Sequence, residues 1–327
     1  YDGEKWSDPQ QMASSDPVAH WNPVLVNYGD YVRLYYKVGM EIPYWVTKYT
    51  DSYDNGKTWS NPIIISEQVK NEKESFLGVG PGRGIAINHN GKERILFCVY
   101  DNNGLFKDPI FENASAVYSD DNGITWHRSN KIKINSGIGK TSESQLVKIE
   151  GKNYKALRMY SRNLSNYIAY ADSTDGGETW TPFRADRSLE GTKNCMVSLM
   201  ETTRKLQGKQ MILCSSGGNL KLRADGILRV GVTENNGDIN WLNTYHLTQG
   251  FYGYSCLTEL SDGNFAVFYE DEAAHLKYTI FSVSNDGEIS EINGENLEFK
   301  PDLSPKTQKS IKFKRFIAKI KFALGLM

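Results

Sequence analysis

The sequence predicts an all-β chain folded as a β-propeller, and three observations predict it. The phrase S-x-D-x-G-x-T-W occurs as SYDNGKTW at 52–59, SDDNGITW at 119–126 and STDGGETW at 173–180, with a weaker copy, TENNGDINW, at 233–241. Short apolar or alternating runs lie between the copies, bounded by turn residues. Long helical periodicity is absent before residue 305. The copies start 67, 54 and 60 residues apart, lengths that suit four-stranded blades with unequal loops.

In chain order the runs are YVRLYYKVG, ERILFCVY, NYKALRMYSRN, QMILCSS, ILRVGVT and NFAVFYE, and turns such as NHNGK, IEGKN and LSDGN bound them. Each repeated octapeptide predicts a self-capped hairpin turn. Its Asp can accept from backbone N–H groups two residues on, and its Gly supplies positive φ. Its Trp can pack on the flanking sheet. Asp54 is therefore expected to serve backbone and not a ligand.

Composition agrees with this fold class. Of 327 residues 39% are apolar and 12% aromatic, including 19 Tyr and 7 Trp, which suits strand surfaces. No apolar run approaches the roughly 18 residues of a membrane span. No secretory h-region follows Tyr1, so the expectation is a removed leader or a chain cut from something longer. From Pro301 onward lie seven of the 38 basic residues and one of the 39 acids, which leaves 31 against 38, a net of −7, for residues 1–300. That balance argues against a nucleic-acid partner. Cys98, Cys195, Cys214 and Cys256 form no CxxC, and Cys98, Cys214 and Cys256 read as buried free thiols in or beside strands. The five histidines show no metal spacing, and neither a metal nor a cofactor is expected. GVGPGRG at 78–84 lacks a Walker lysine and a βαβ context, so it reads as a sharp turn near the site.

The repeated phrase resembles the Asp-box of the sialidases, which are six-bladed propellers. GPGRGI at 80–85, SESQLVKIEGKN at 142–153, RMYSRN at 158–163 and GYSCLTELSDGNFAVFYE at 253–270 resemble the non-viral exo-sialidases in particular, in the family's order and over roughly residues 1–285. The resemblance implies a retaining exo-α-sialidase acting on sialylated glycans in a secreted or cell-surface setting. Sialic acid carries a carboxylate on its anomeric carbon, so a site needs clustered arginines. A neutral Tyr nucleophile avoids the repulsion a carboxylate would meet.

Residue by residue, Tyr254 matches the nucleophile and Glu143 the base that takes its proton. Arg162 matches one carboxylate-binding arginine, with Arg158 as its competitor on the same strand face. Arg223 matches another, ahead of Arg229. Glu270 matches a glutamate that braces the first arginine, and Asn22 stands where relatives carry an Asp-Pro near the sugar's 4-hydroxyl. The phrases for the first arginine and the acid/base aspartate do not occur. DGEKWSDP at the start resembles the end of an Asp-box, so the first blade is expected to be incomplete and Glu270 to lack its partner. The expected organisation is a propeller over 1–299, a linker over 300–310 and a basic amphipathic helix over 311–327, IKFKRFIAKIKFALGLM. That helix could lie on an anionic membrane surface or dock on a partner domain. Two rival classes remain: a non-catalytic sialoglycan-binding module, and a scaffold tethered by the basic tail.

Overall fold

The computed structural model describes residues 10–13, 18–40, 45–71, 76–102, 112–191, 194–272 and 275–293. Twenty-two strands are described. They are β1 (His20–Asn27), β2 (Val32–Val38), β3 (Val46–Ser52), β4 (Ile63–Ile64), β5 (Leu77–Val79), β6 (Gly82–Arg83), β7 (Ile85–His89), β8 (Lys92–Asn102), β9 (Glu112–Ser119), β10 (His127–Arg128) and β11 (Ser144–Glu150). There follow β12 (Lys155–Ser161), β13 (Tyr167–Ser173), β14 (Arg184–Glu190), β15 (Ser198–Leu206), β16 (Lys209–Gly217), β17 (Gly226–Thr233), β18 (Ile239–His246), β19 (Ser255–Glu259), β20 (Phe265–Glu272), β21 (His275–Val283) and β22 (Ile289–Asn293). They form five sheets: β4-β3-β2-β1-β6; β10-β9-β8-β5 with β7 also on β8; β11 to β14; β15 to β18; and β19 to β22. All pairings are antiparallel except β1 with β6. The all-β, propeller-like expectation holds. The described sheets number five where six blades were expected, and residues 1–9, 294–310 and the predicted helix at 311–327 lie outside the described residues.

Five of the six runs read from the sequence are second strands: β2, β8, β12, β16 and β20. A second strand lies between neighbours in its own sheet and is covered on both faces. Alternate residues of β2 show this. Tyr35 packs towards the second sheet with Phe97, Val99 and Trp126, while Leu34, Tyr36 and Val38 form a separate cluster on the opposite face. Each adjacent pair of sheets shares one core. Val26 and Tyr35 meet Leu77 and Phe97; Leu96 and Ala116 meet Leu157 and Met159; Val147 and Tyr160 meet Leu199 and Ile212; Leu213 and Val230 meet Leu257 and Phe265.

The Asp-box turns join third to fourth strands. In the first, Gly56 N donates to Ser52 Oγ (2.7 Å), Thr58 N and Oγ1 donate to Asp54 (2.8 and 2.6 Å), and Trp59 Nε1 donates to Gly56 O (3.1 Å). The same four bonds recur at 119–126 (2.7, 2.9, 2.6 and 3.2 Å) and at 173–180 (2.9, 3.0, 2.5 and 3.0 Å). The aspartate thus reaches the amide four residues on, not two. Asn55 and Gly56 both take left-handed φ (58° and 85°), as do Asn122 and Gly123 (58° and 77°), which explains the Asn-Gly pair. The weaker copy forms a different turn. Glu234 N bonds Asp238 O (2.7 Å), Thr233 Oγ1 turns to Gln210 (2.9 Å), and the buried Trp241 Nε1 has no hydrogen-bond partner among the described residues. Asn235 in place of Asp and the extra residue before Trp241 remove both fasteners.

A second repeated device went unseen in the sequence. Arg33 on β2 pairs with Asp51 (2.6 and 2.9 Å), lies over the Tyr49 ring (3.8 Å) and donates to Gly123 O in the next sheet's Asp-box (3.2 Å). Arg94 on β8 pairs with Asp120 (2.7 Å twice), lies over Tyr118 (4.2 Å) and donates to Gly176 O of the following box (3.1 Å). An arginine of one sheet therefore clasps the turn of its neighbour. Cys98 and Cys214 are buried as expected, but Cys256 is exposed, because β19 is a first strand with one open face.

Asp121 accepts from Ser119 Oγ, Ile124 N, Thr125 N and Thr125 Oγ1 (2.6–3.1 Å). Asp121→Ala should cost about 1–3 kcal/mol in urea unfolding, whereas Asn235→Ala, in the open turn, should stay within about 0.5 kcal/mol. Partial burial works against the Asp121 carboxylate, but the Thr125 hydroxyl and amide outweigh it and hold the group at about 2, below the ordinary 3.8. A folded-state value below the unfolded one means that this stability is complete above about 3.8 and is lost as pH falls towards 2. The gap between wild type and Asp121→Ala should narrow over that window.

Candidate functional site

Each sheet is a meander, so its first strand starts, and its second strand ends, at one end of the molecule. The Asp-box turns follow third strands and lie at the opposite end. Glu143 immediately precedes β11 and Tyr254 immediately precedes β19, while Arg162 follows β12. These three, from the third and fifth sheets, therefore meet at the end away from the Asp-boxes.

The Tyr254 hydroxyl lies 2.9 and 3.1 Å from the two oxygens of Glu143. Arg162 Nη1 donates to Glu143 Oε2 (2.6 Å) and to Tyr254 Oη (3.1 Å). Arg162 and Glu143 are 16% and 7% exposed, so the pair is largely out of water. Burial pushes the Tyr254 hydroxyl well above the usual tyrosine range. The Glu143 charge adds to this, and Arg162 works against it. The phenol therefore stays protonated, with a carboxylate in contact to receive its proton.

Asn22 belongs to the same cluster. A bulge in β1 and a left-handed φ of 51° turn its amide towards Glu143 Oε1 and Val79 O (3.3 Å each). Arg223 lies with its guanidinium 5.3 Å from the Tyr254 ring centre. Glu270 Oε2 accepts from Tyr254 N (3.1 Å), so this carboxylate braces the backbone of the tyrosine. Glycine at 253 leaves room for that carboxylate, since a Cβ would come within 2.1 Å of Glu270 Oε2 and push it from the Tyr254 amide. GPGRGI packs behind the cluster. Gly80 lies against the Glu143 backbone, and Gln145 Nε2 bonds Pro81 O.

The competing arginines separate cleanly. Arg158 is 4% exposed and bound to Asp172 (2.7 and 3.1 Å), facing away from the cluster in the series with Arg33 and Arg94. Arg229 donates to Ser216 Oγ (2.8 Å) and Glu190 O (3.2 Å) and meets none of the site residues. Beyond the site, a cavity of about 470 Å³ runs between first strands, where Glu201 pairs with Arg83 (2.7 Å) and Lys148 (3.6 Å).

Three site neighbours were missed. Asn163 ties the turn after Arg162, donating to Ser161 O and Tyr167 O (3.0 Å each). Asn194 accepts from Arg162 Nε (3.0 Å), and buried Cys195 donates to Gly253 O (3.5 Å). Asn163 could have been read from its place beside Arg162. Asn194 and Cys195 sit in TKNCMV, which carries no pattern.

Asp-box turns at one end and a tyrosine–carboxylate–arginine cluster at the other define a BNR-repeat propeller. The family model for the BNR repeat-like domain matches residues 1–267. A sialidase of Bacteroides fragilis is 30% identical over 69% of this chain and 40% of its own length. An anhydrosialidase of Macrobdella decora is 31% identical over 69% of this chain and 29% of its own. Among solved structures, a Hadza microbial sialidase superposes with a TM-score of 0.66 at 25% identity, covering 80% of this chain and 52% of that one. The intramolecular trans-sialidase of Ruminococcus gnavus gives 0.60 at 29% identity, covering 81% and 53%. The chain belongs to the non-viral sialidase family with BNR repeats. It spans less than half the length of these two sequence relatives.

Arg158→Ala should destabilise the protein by about 1.5–3 kcal/mol, since it takes two charged donors from the 1%-exposed Asp172 carboxylate, which keeps the Tyr154 hydroxyl and Arg184 on Oδ2. Arg162→Ala should cost less, because Glu143 keeps the Tyr254 hydroxyl and the Asn22 amide. Parallel urea unfolding of the two variants checks the order.

Proposed function

We propose that this propeller is a glycoside hydrolase domain, an exo-α-sialidase that removes terminal sialic acid from glycoconjugates with retention of configuration. The observation that carries this reading is the contact of the Tyr254 hydroxyl with both oxygens of Glu143, under the Arg162 guanidinium. In the proposed reaction, Arg162 and Arg223 bind the substrate carboxylate. Glu143 takes the phenolic proton as Tyr254 Oη forms a bond to the anomeric carbon. The bond to the leaving oxygen breaks through an oxocarbenium-like transition state, and an acid protonates that oxygen. Water, deprotonated in turn, then displaces Tyr254, which regains its proton from Glu143. Asn22 holds the Glu143 carboxylate against the tyrosine. A secreted or cell-surface setting, where sialylated glycans are displayed, accompanies this reading.

A six-bladed closed ring is part of the same proposal. The second reading is a sialoglycan-binding module, in which Arg162 and Arg223, both beside Tyr254, hold the ligand carboxylate without turnover.

Release of 4-methylumbelliferone from its α-sialoside tests the enzyme. Glu143→Gln should lower kcat by about 10²–10⁴-fold, and Tyr254→Phe by at least about 100-fold. The α-anomer of sialic acid should appear first by proton NMR, and first appearance of the β-anomer would exclude the tyrosyl route. Binding of sialyllactose with no release would favour the module.

A further inference from the structure

The Arg162 guanidinium has two working edges. Nη1 faces Glu143 and Tyr254, while Nε faces away, onto Asn194 Oδ1 (3.0 Å). The same residue also lies against the second arginine, whose Nη2 is 3.5 Å from Asn194 O. One asparagine thus touches both guanidinium groups, through its side chain on one and its backbone on the other. Its own placement is fixed. The φ of 56° is left-handed, Asn194 N donates to Asn163 O (2.9 Å), and the following Cys195 is buried against Gly253. The segment therefore contacts the residue after Arg162, both arginines, and the residue before Tyr254.

We propose that Asn194 is a positioning residue that sets Arg162 and Arg223 to face one carboxylate. This rests on the sialidase reading. A guanidinium rotates readily about its last torsions, and two of them repel each other. Two cations grip one carboxylate only if each is held from behind, so that none of the ordering is left to the binding step. The Asn194 oxygen is a neutral acceptor, so it orients Arg162 Nε without neutralising the charge that the ligand needs. A carboxylate in its place would compete with the ligand. The effect belongs to ground-state and transition-state binding alike, because the carboxylate keeps its charge throughout the reaction, and so it should appear mainly in KM.

Three variants separate this from a structural role. Asn194→Gly keeps the left-handed backbone and the backbone carbonyl but removes the side-chain acceptor. Asn194→Asp keeps an acceptor at the same atom. Asn194→Ala strains the backbone as well and serves as the control for loop damage. In the ligand-free protein, the Arg162 Nε–H signal in a ¹H–¹⁵N spectrum, assigned by its loss in Arg162→Lys, should be protected from exchange. Asn194→Gly should speed that exchange by at least about tenfold, and Asn194→Asp should restore it. With the 4-methylumbelliferyl α-sialoside, Asn194→Gly should raise KM about tenfold with kcat changed less than about threefold. Unchanged Nε–H exchange in Asn194→Gly overturns the proposal whatever the activity. Faster exchange with KM unmoved also overturns it, since the arginine would then be released without consequence for the carboxylate. If wild type shows no turnover or binding at all, the sialidase reading fails, and the exchange measurement alone decides whether Asn194 holds Arg162.

Discussion

Face-to-face packing of neighbouring sheets is the constraint on which everything else here depends. A single four-stranded sheet cannot bury both faces. Each sheet therefore shares a core with the next, from Tyr35 with Phe97 through Leu96 with Met159 to Leu213 with Leu257. That burial supplies the main driving force and is non-directional. Register between sheets has to come from directional contacts. Arg33 and Arg94 provide it, each pairing with an aspartate beside its own strand and then reaching carbonyls of the next Asp-box. Buried arginines are costly unless fully partnered, and here their donors go to a carboxylate, a neighbouring turn and a tyrosine face.

The same stacking makes the site. Glu143 and Tyr254 are 111 residues apart, yet both stand one residue before a first strand. Stacking the third, fourth and fifth sheets side by side brings those strand starts together. Chemistry then follows from burial. A tyrosine taken out of water beside a carboxylate is harder to ionise, and in the proposed reaction its proton would pass to the carboxylate as the new bond forms. Glu270 and Gly253 hold the tyrosine backbone, and Asn22 and Arg162 hold the carboxylate. The two ends of the fold differ in content, with stabilising turns at one and the Tyr254–Glu143–Arg162 cluster at the other.

Legibility tracked burial and local bonding. The second strands were readable because they are covered on both faces and so are written as near-continuous apolar runs. Outer strands such as β14 and β18 have mixed burial and left no such mark. The Asp-boxes were readable because the four bonds that recur in each close within eight residues. The fourth copy shows the limit of that reading, since one lost carboxylate and one inserted residue gave a different turn. Among site residues, Tyr254, Glu143 and Arg162 were named through motifs. Asn194 was not, because its importance comes from what stands behind two arginines in space.

By itself the sequence determined what local chemistry can write: the turns, the blade repeat, the buried strands, and the residue types that suit a carboxylate-bearing sugar. Tertiary structure alone decided which arginine serves which end. Arg158 and Arg162 lie four residues apart on one strand and its extension, yet one is locked to Asp172 in the core and the other meets Tyr254. Tertiary structure also gave Glu270 its partner, the amide of Tyr254. The physical reason is common to both. A hydrogen bond or ion pair between sheets depends on strand stagger and sheet stacking, and these are set by the summed burial of side chains scattered over the whole chain.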